Sequence, residues 1–172
     1  VNPSSPLRIA VATIVHHPLD ARIYARQIEA LLRAGHAVSY AAPFTATSTA
    51  LDSRLHCHDL PRARMRNRLS AIRAASAWLR QAVKEHDVVI VHDPELVPAL
   101  IRQRRCSTAR LIWDVHEDNP AAVSSRAYIP SILRGMAAAA MRRLERRAES
   151  SLTLMLAEAD YQERFTSRHP HV

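Results

Sequence analysis

The sequence predicts an α/β protein built on a doubly wound parallel sheet in three layers. Two observations carry this. Residues 87–91 (DVVIV) and 111–115 (LIWDV) are short, almost continuous apolar runs, the pattern of strands buried on both faces of a parallel sheet. Such runs alternate with stretches of helical periodicity along the chain, the order that a doubly wound sheet requires. Both runs end abruptly in polar residues: His92, Asp93, Pro94 and Glu95 after the first, and His116, Glu117, Asp118, Asn119 and Pro120 after the second. Ligands of such sheets sit beyond the carboxyl ends of the strands. The two runs are therefore expected to deliver histidines and carboxylates to one crevice.

In chain order, residues 8–15 read as the first strand, and the loop HHPLD follows. Asp20 is a good N-cap for the next helix, which is expected to run to about Ala34. Tyr24, Ile28, Leu31 and Leu32 recur at three- and four-residue spacing and form its predicted core stripe. Gly35 is the expected residue just past the helix end. Residues 36–42 are a second strand, which Pro43 stops. Residues 44–53, rich in Thr, Ser and Ala, read as a loop. LHCHDL at 55–60 alternates apolar and polar residues, so it is expected to be an edge-side strand.

A basic linker, PRARMRNR, leads into a helix over about 67–86 with Leu69, Ile72, Ala75, Leu79 and Val83 on one face. After the 87–91 strand, Pro94 suits the first turn of a helix, and Pro98 is expected to shorten or bend it. The 111–115 strand is followed by a looser piece to Tyr128. Pro130 opens a long helix to about Ser150, with Leu133, Ala137, Ala140, Leu144 and Ala148 inward and Arg142, Arg143, Arg146 and Arg147 outward. Residues 152–157 read as a last strand, and 160–167 as the start of another helix.

The 172 residues suit one domain with a proper core. The net charge of +8 is carried by arginine, since Lys84 is the sole lysine. The arginine and alanine bias points to a GC-rich, bacterial genome. The basic balance can attract phosphates, nucleic acid or anionic lipid. Cys57 and Cys106 have no metal-type spacing and form no disulfide framework, so a reduced compartment is expected. No apolar run reaches the roughly 18 residues of a membrane span, and none reads as a signal peptide.

Four pieces, in this order, resemble the N-terminal domain of family 4 (group 1) glycosyltransferases: HPLDARIYARQIEALLRAGHAV after the first strand, DVVIVHDPELVPAL, LIWDVHEDNP and LTLMLAEADYQERF. They span residues 8 to about 166. The resemblance implies a Rossmann-like domain, the N-terminal half of a GT-B architecture, whose active site is a cleft between two such domains. It implies that this half mainly holds the acceptor. A C-terminal domain would hold the donor, usually through paired glutamates. The expected layout is a flexible leader at 1–7, the acceptor-side domain at 8–168, and the start of a linker at 169–172, with the donor domain outside this sequence. The sequence departs from many members in one respect. Their glycine-rich turn after the first strand brings backbone N–H groups to the donor phosphates, whereas VHHPLD contains no glycine.

The resemblance places His116 where a histidine faces the transferred sugar, and it is the catalytic candidate. His16, His17, Arg22, His92, Asp93, Glu117 and Asp118 are candidates for acceptor or donor-sugar binding. Simpler roles compete: a helix cap for His116, loop solvation for Glu117, Asp118, His16 and His17, surface cover for Arg22. For Asp93 the preferred reading is a cap on the PELVPAL helix. His56 and His58 share one face of a strand and could bind metal, but a solvated edge is the preferred reading. His36, His86, His169 and His171 read as turn or tail residues, and no metal ligand set is assigned.

The expected function is the acceptor-binding half of a retaining glycosyltransferase, inactive alone. It would act with a UDP- or GDP-sugar as donor on a sugar, lipid or small-molecule acceptor. No cofactor is expected in this domain and no nucleic-acid partner. The expected location is cytoplasmic, with Arg62, Arg64, Arg66 and Arg68 as a surface for peripheral contact with anionic membrane. The competing readings are a metal-dependent hydrolase with His and Asp ligands at strand ends, and a non-catalytic α/β binding module.

Overall fold

A computed structural model describes residues 5–46, 51–116, 131–157 and 165. The chain divides into two compact units, Val1–Leu111 and Ile112–Val172. Parallel strands alternate with helices, giving the α/β Rossmann-like fold that the sequence predicts.

The first unit contains β1 (Arg8–Ala12), β2 (Ala37–Ala42), β3 (His56–Asp59) and β4 (Val88–Val91). They pair in parallel in the order β3-β2-β1-β4. The chain moves outward from β1 to β2 to β3, then returns to the other side of β1 to make β4. The strand order therefore reverses between β1 and β4, and such a switch point is where doubly wound sheets form their ligand crevice. Ile9, Val11, Val38, Tyr40, Val89 and Val91 are buried along the three inner strands. β3 is exposed throughout, as expected of an edge. At the amino ends of β1 and β4, Arg8 donates to Asp87 at 3.1 Å, which lowers the Asp87 pKa.

The first helix starts where Asp20 caps it, accepting from the N–H groups of Arg22 (3.0 Å) and Ile23 (3.2 Å). Its first part, Ala21–Ile28, is a π-helix, closed where the Glu29 N–H donates to the Tyr24 carbonyl. It continues as α1 (Glu29–Arg33). The wider π turn corrects the predicted stripe. Ile23, Ile28 and Leu32 are buried, spaced five and then four residues apart, whereas Tyr24 and Leu31 are half-buried. The Tyr24 hydroxyl accepts from the Asp52 N–H instead. Gly35 ends the helix at φ +83°, a conformation that suits only glycine well. The N–H of His36 reaches the Leu31 carbonyl and that of Gly35 the Leu32 carbonyl, which is a Schellman motif.

α2 (Arg68–Glu85) buries Ala71, Ala75, Leu79, Ala82 and Val83. Leu69, expected on this face, is 70% exposed because, at about 100° per residue, it lies nearly opposite the buried Ala71 around the helix. α3 is Val97–Gln103, and Pro98 sits in its first turn rather than bending it. Pro94 falls in the preceding turn, where Leu96 N–H bonds the Asp93 carbonyl and Val97 N–H the Pro94 carbonyl. His36 and His86 are structural: His36 accepts from the Leu7 N–H, and His86 bonds the Ala82 carbonyl and the Ser39 hydroxyl.

β5 (Arg110–Val115), which belongs to the second unit from Ile112 on, pairs in parallel with β6 (Thr153–Leu156) from Ile112↔Thr153 to Val115↔Leu156. α4 (Ser131–Glu149) connects them. Its buried line is Ala138, Glu145 and Ala148, and Ala140 is exposed, so the core face is turned by about one residue from the expected one. Alanine gives little apolar contrast along this helix, which is why periodicity placed the face inexactly. Residues 1–4 of the leader predicted at 1–7, the piece at 117–130 and the final linker lie outside the described residues, as does the last predicted helix except Phe165.

Candidate functional site

At the switch point the carboxyl ends of β1 and β4 bring two segments together: Thr13–Val15 with the HHPLD loop, and His92–Glu95. Thr13 ends the β1 run, and its N–H still bonds the Ala41 carbonyl at 3.0 Å. His92 continues β4, donating its N–H to the Ala12 carbonyl at 3.2 Å. These bonds extend the ladder one residue past each strand and bring Asp93 against the loop.

Asp93 is 1% exposed. It does not cap α3, whose N-terminus has no side-chain cap bond. This corrects the preferred sequence reading. Its Oδ2 instead accepts the N–H groups of Ile14 and of Val15 (3.3 Å). The Thr13 hydroxyl reaches both carboxylate oxygens at 3.1 and 3.2 Å. A buried charge needs such donors, because transfer out of water costs far more when the charge is unpaired. Even so, burial pushes the Asp93 carboxyl up to about 6, with the nearby Glu95 charge adding to the shift and the Ile14, Thr13 and Val15 donors opposing it.

His16 lies between two carboxylates. Its Nε2 is 3.5 Å from Asp93 Oδ1 and its Nδ1 is 3.8 Å from Asp20 Oδ2. Its own N–H donates to the Thr13 hydroxyl at 3.1 Å, so Thr13 links the loop to Asp93 a second time. His92 is buried, and its Nε2 donates to Gln27 Oε1 of the π-helix at 3.0 Å. His17 is exposed, and its Nδ1 accepts the Leu19 N–H at 3.1 Å. Arg22 is half-buried on the first turn of the helix. The structure thus places His16, Asp20, His92 and Asp93 at one edge of the first unit, where His16 faces both carboxylates, His92 turns to Gln27, and His17 bonds within its own loop. Thr13 and Gln27 are additions. The polar interruption of RIAVATIV could have signalled Thr13, whereas nothing local marks Gln27.

Two further segments border this edge. The Ala63 N–H donates to the Ile14 carbonyl at 2.8 Å, which lays the basic linker over the end of β1. Arg68 pairs with Glu95 at 2.8 Å, tying the start of α2 to the β4–α3 turn. Arg68 is therefore engaged within the protein. Arg62 is half-buried, and Arg64 and Arg66 are exposed.

His116 stands at the end of β5 in the second unit. It is half-buried, with Nδ1 3.3 Å from the Asp114 carbonyl oxygen. Glu117 and Asp118 lie outside the described residues. His56 and His58 lie on the exposed edge strand, and the His58 ring stacks on Trp78 at 6.1 Å.

The sequence matches no protein-family model. It matches no curated protein sequence either. Solved structures do match. Sucrose-phosphate synthase from Thermosynechococcus elongatus superposes with a TM-score of 0.62 at 16% identity, over 96% of this chain and 46% of that one. UGT89C1 of Arabidopsis thaliana, complexed with UDP, gives 0.55 at 14% identity, over 97% and 49%. A short-chain dehydrogenase/reductase from Veillonella parvula gives 0.52 at 11% identity, over 88% and 67%. The chain spans about half the length of the first and second of these. At these identities the likeness is one of fold, shared by glycosyltransferases and a dehydrogenase alike.

The Asp93 shift has a measurable consequence. Its pKa rises from 3.8 to about 6 on folding, so the contribution to stability is full below pH 3.8 and is lost as pH rises through about 6. Asp93→Asn removes that dependence. The stability deficit of the variant against the wild type, measured by urea denaturation, should narrow between pH 4 and pH 7.

Proposed function

We propose that this chain is the acceptor-side domain of a retaining family 4 glycosyltransferase, moving a sugar from a UDP- or GDP-sugar to a sugar, lipid or small-molecule acceptor. The observation that carries the reading is the polar group His16, Asp20, His92 and Asp93 at the switch point, in a chain whose four ordered motifs resemble that family. Transfer with retention needs the leaving phosphate stabilised and the acceptor hydroxyl held on the same face of the sugar. Much of that is positioning and electrostatics. In this reading His16 and Arg22 border the acceptor, and His116 donates a hydrogen bond to a hydroxyl near the reacting carbon. Glu117 and Asp118 would bind further hydroxyls. A second domain outside these residues would supply the donor site.

The dehydrogenase alternative suggested by the shared fold lacks its sequence device. A dinucleotide fingerprint needs glycines in the first strand-to-helix turn so that backbone can approach pyrophosphate. The two glycines of this chain are Gly35 and Gly135, both elsewhere.

Two measurements test the proposal. Isothermal titration of the 172-residue chain with UDP- and GDP-sugars should give weak binding at most, and micromolar affinity would overturn the division of labour. In an enzyme carrying both domains, His116→Ala should lower kcat by about 10²-fold, the loss expected for one donor aimed at developing charge. Its circular dichroism should be unchanged, and near-normal turnover would remove His116 from the site.

A membrane-borne acceptor is favoured by one observation. Met65 is 84% exposed and Leu69 is 70% exposed, four residues apart, among Arg62, Arg64, Arg66 and Arg73. An anionic bilayer offers both apolar depth and phosphate charge to such a turn, at about 1 kcal/mol for each basic residue near the surface. No helix among the described residues is long and apolar enough to cross a membrane. Met65→Ser/Leu69→Ser should reduce co-sedimentation with anionic vesicles at low salt. Equal recovery of the wild type in the supernatant with anionic and neutral vesicles would leave a soluble acceptor.

A further inference from the structure

Successive backbone N–H groups that converge on one point make an anion site, and the turn after the first strand of a doubly wound fold is a common place for one. Here the convergence is present and already filled. The Ile14 and Val15 N–H groups both point at Asp93 Oδ2, and the Thr13 hydroxyl closes on the same carboxylate. The neighbouring amides are also engaged within the chain. His16 N–H goes to the Thr13 hydroxyl and Leu19 N–H to His17 Nδ1. Asp20 N–H goes to the His17 carbonyl and Tyr24 N–H to the Asp20 carbonyl. Arg22 and Ile23 N–H groups go to the Asp20 carboxylate.

We propose that the Asp93 carboxylate occupies, from within the chain, the anion-binding position of the loop after β1, so that this loop holds His16 and takes no ligand phosphate through its backbone. The proposal goes beyond the transferase reading and does not depend on it. Both carboxylate oxygens are used: Oδ2 takes the two amides, Oδ1 faces His16 Nε2 at 3.5 Å, and the Thr13 hydroxyl reaches each of them. Burial that pushes the carboxyl up against the pull of its donors means that the ionised form is kept here at a net cost. Asp93 is thus a positioning residue. It sets the path of the loop and the orientation of His16.

The test is an amide-resolved NMR titration of the full chain with inorganic phosphate, with UDP and with formate. In the wild type, the Ile14 and Val15 resonances should stay in place with all three. In Asp93→Ala, formate should move both resonances saturably and raise the Tm, binding about tenfold or more tighter than to the wild type. That factor corresponds to recovering one charge-assisted hydrogen bond. Saturable shifts of Ile14 and Val15 with phosphate or UDP in the wild type would overturn the proposal. So would a folded Asp93→Ala that responds to formate no more than the wild type does. If Asp93→Ala does not fold, the wild-type titrations decide alone, since they read the same two amides.

Discussion

The carboxylate of Asp93, enclosed by donors from the end of β1, is the interaction on which the carboxyl edge of the first unit depends. β1 and β4 are joined along their length by an ordinary parallel ladder, which fixes where the strands end but not where the chain goes next. Asp93 supplies that direction. It takes the first two amides after Thr13 and turns the loop toward the Asp20 cap. Removing one partner from such a buried set costs about 1–3 kcal/mol for each polar group left unsatisfied. The edge is therefore organised by polar satisfaction, while the apolar strands beneath it supply the bulk of the burial.

A doubly wound sheet is shared by enzymes of unrelated chemistry, so the fold narrows the function less than the loop does. The dehydrogenase-type solution to the first turn is glycine and open amides. The solution here is a threonine, a buried aspartate and a histidine, with no glycine. This difference is chemical: one turn presents a partially positive backbone to an anion, and the other presents a side chain between two carboxylates.

The strands and helix ends of the first unit were legible because they are local. Continuous apolar runs marked β1, β2 and β4, and Gly35 and Asp20 marked the ends of the first helix through conformational and capping preferences that a few residues determine. The role of Asp93 was not legible. An aspartate before Pro-Glu is a good cap by local rules, and only the tertiary approach of β1, some eighty residues earlier, diverts it to Thr13 and Ile14. Gln27 was missed for the same reason, since its partner His92 lies 65 residues away. Leu69 was misplaced because the packed face of α2 is marked largely by small alanines, Ala71, Ala75 and Ala82, and the larger Leu69 lies off it.

The π-helix at Ala21–Ile28 separates two jobs that one continuous α-helix would couple. One extra residue in a turn offsets the later residues by about 100° relative to regular α geometry. The offset lets Ile23, Ile28 and Leu32 all reach the core while Asp20 and Arg22 stay at the carboxyl edge of the first unit. The same eight residues thus serve the core through Ile23 and Ile28 and the polar edge through Arg22 and Gln27, a double duty that regular α spacing would distribute differently around the helix.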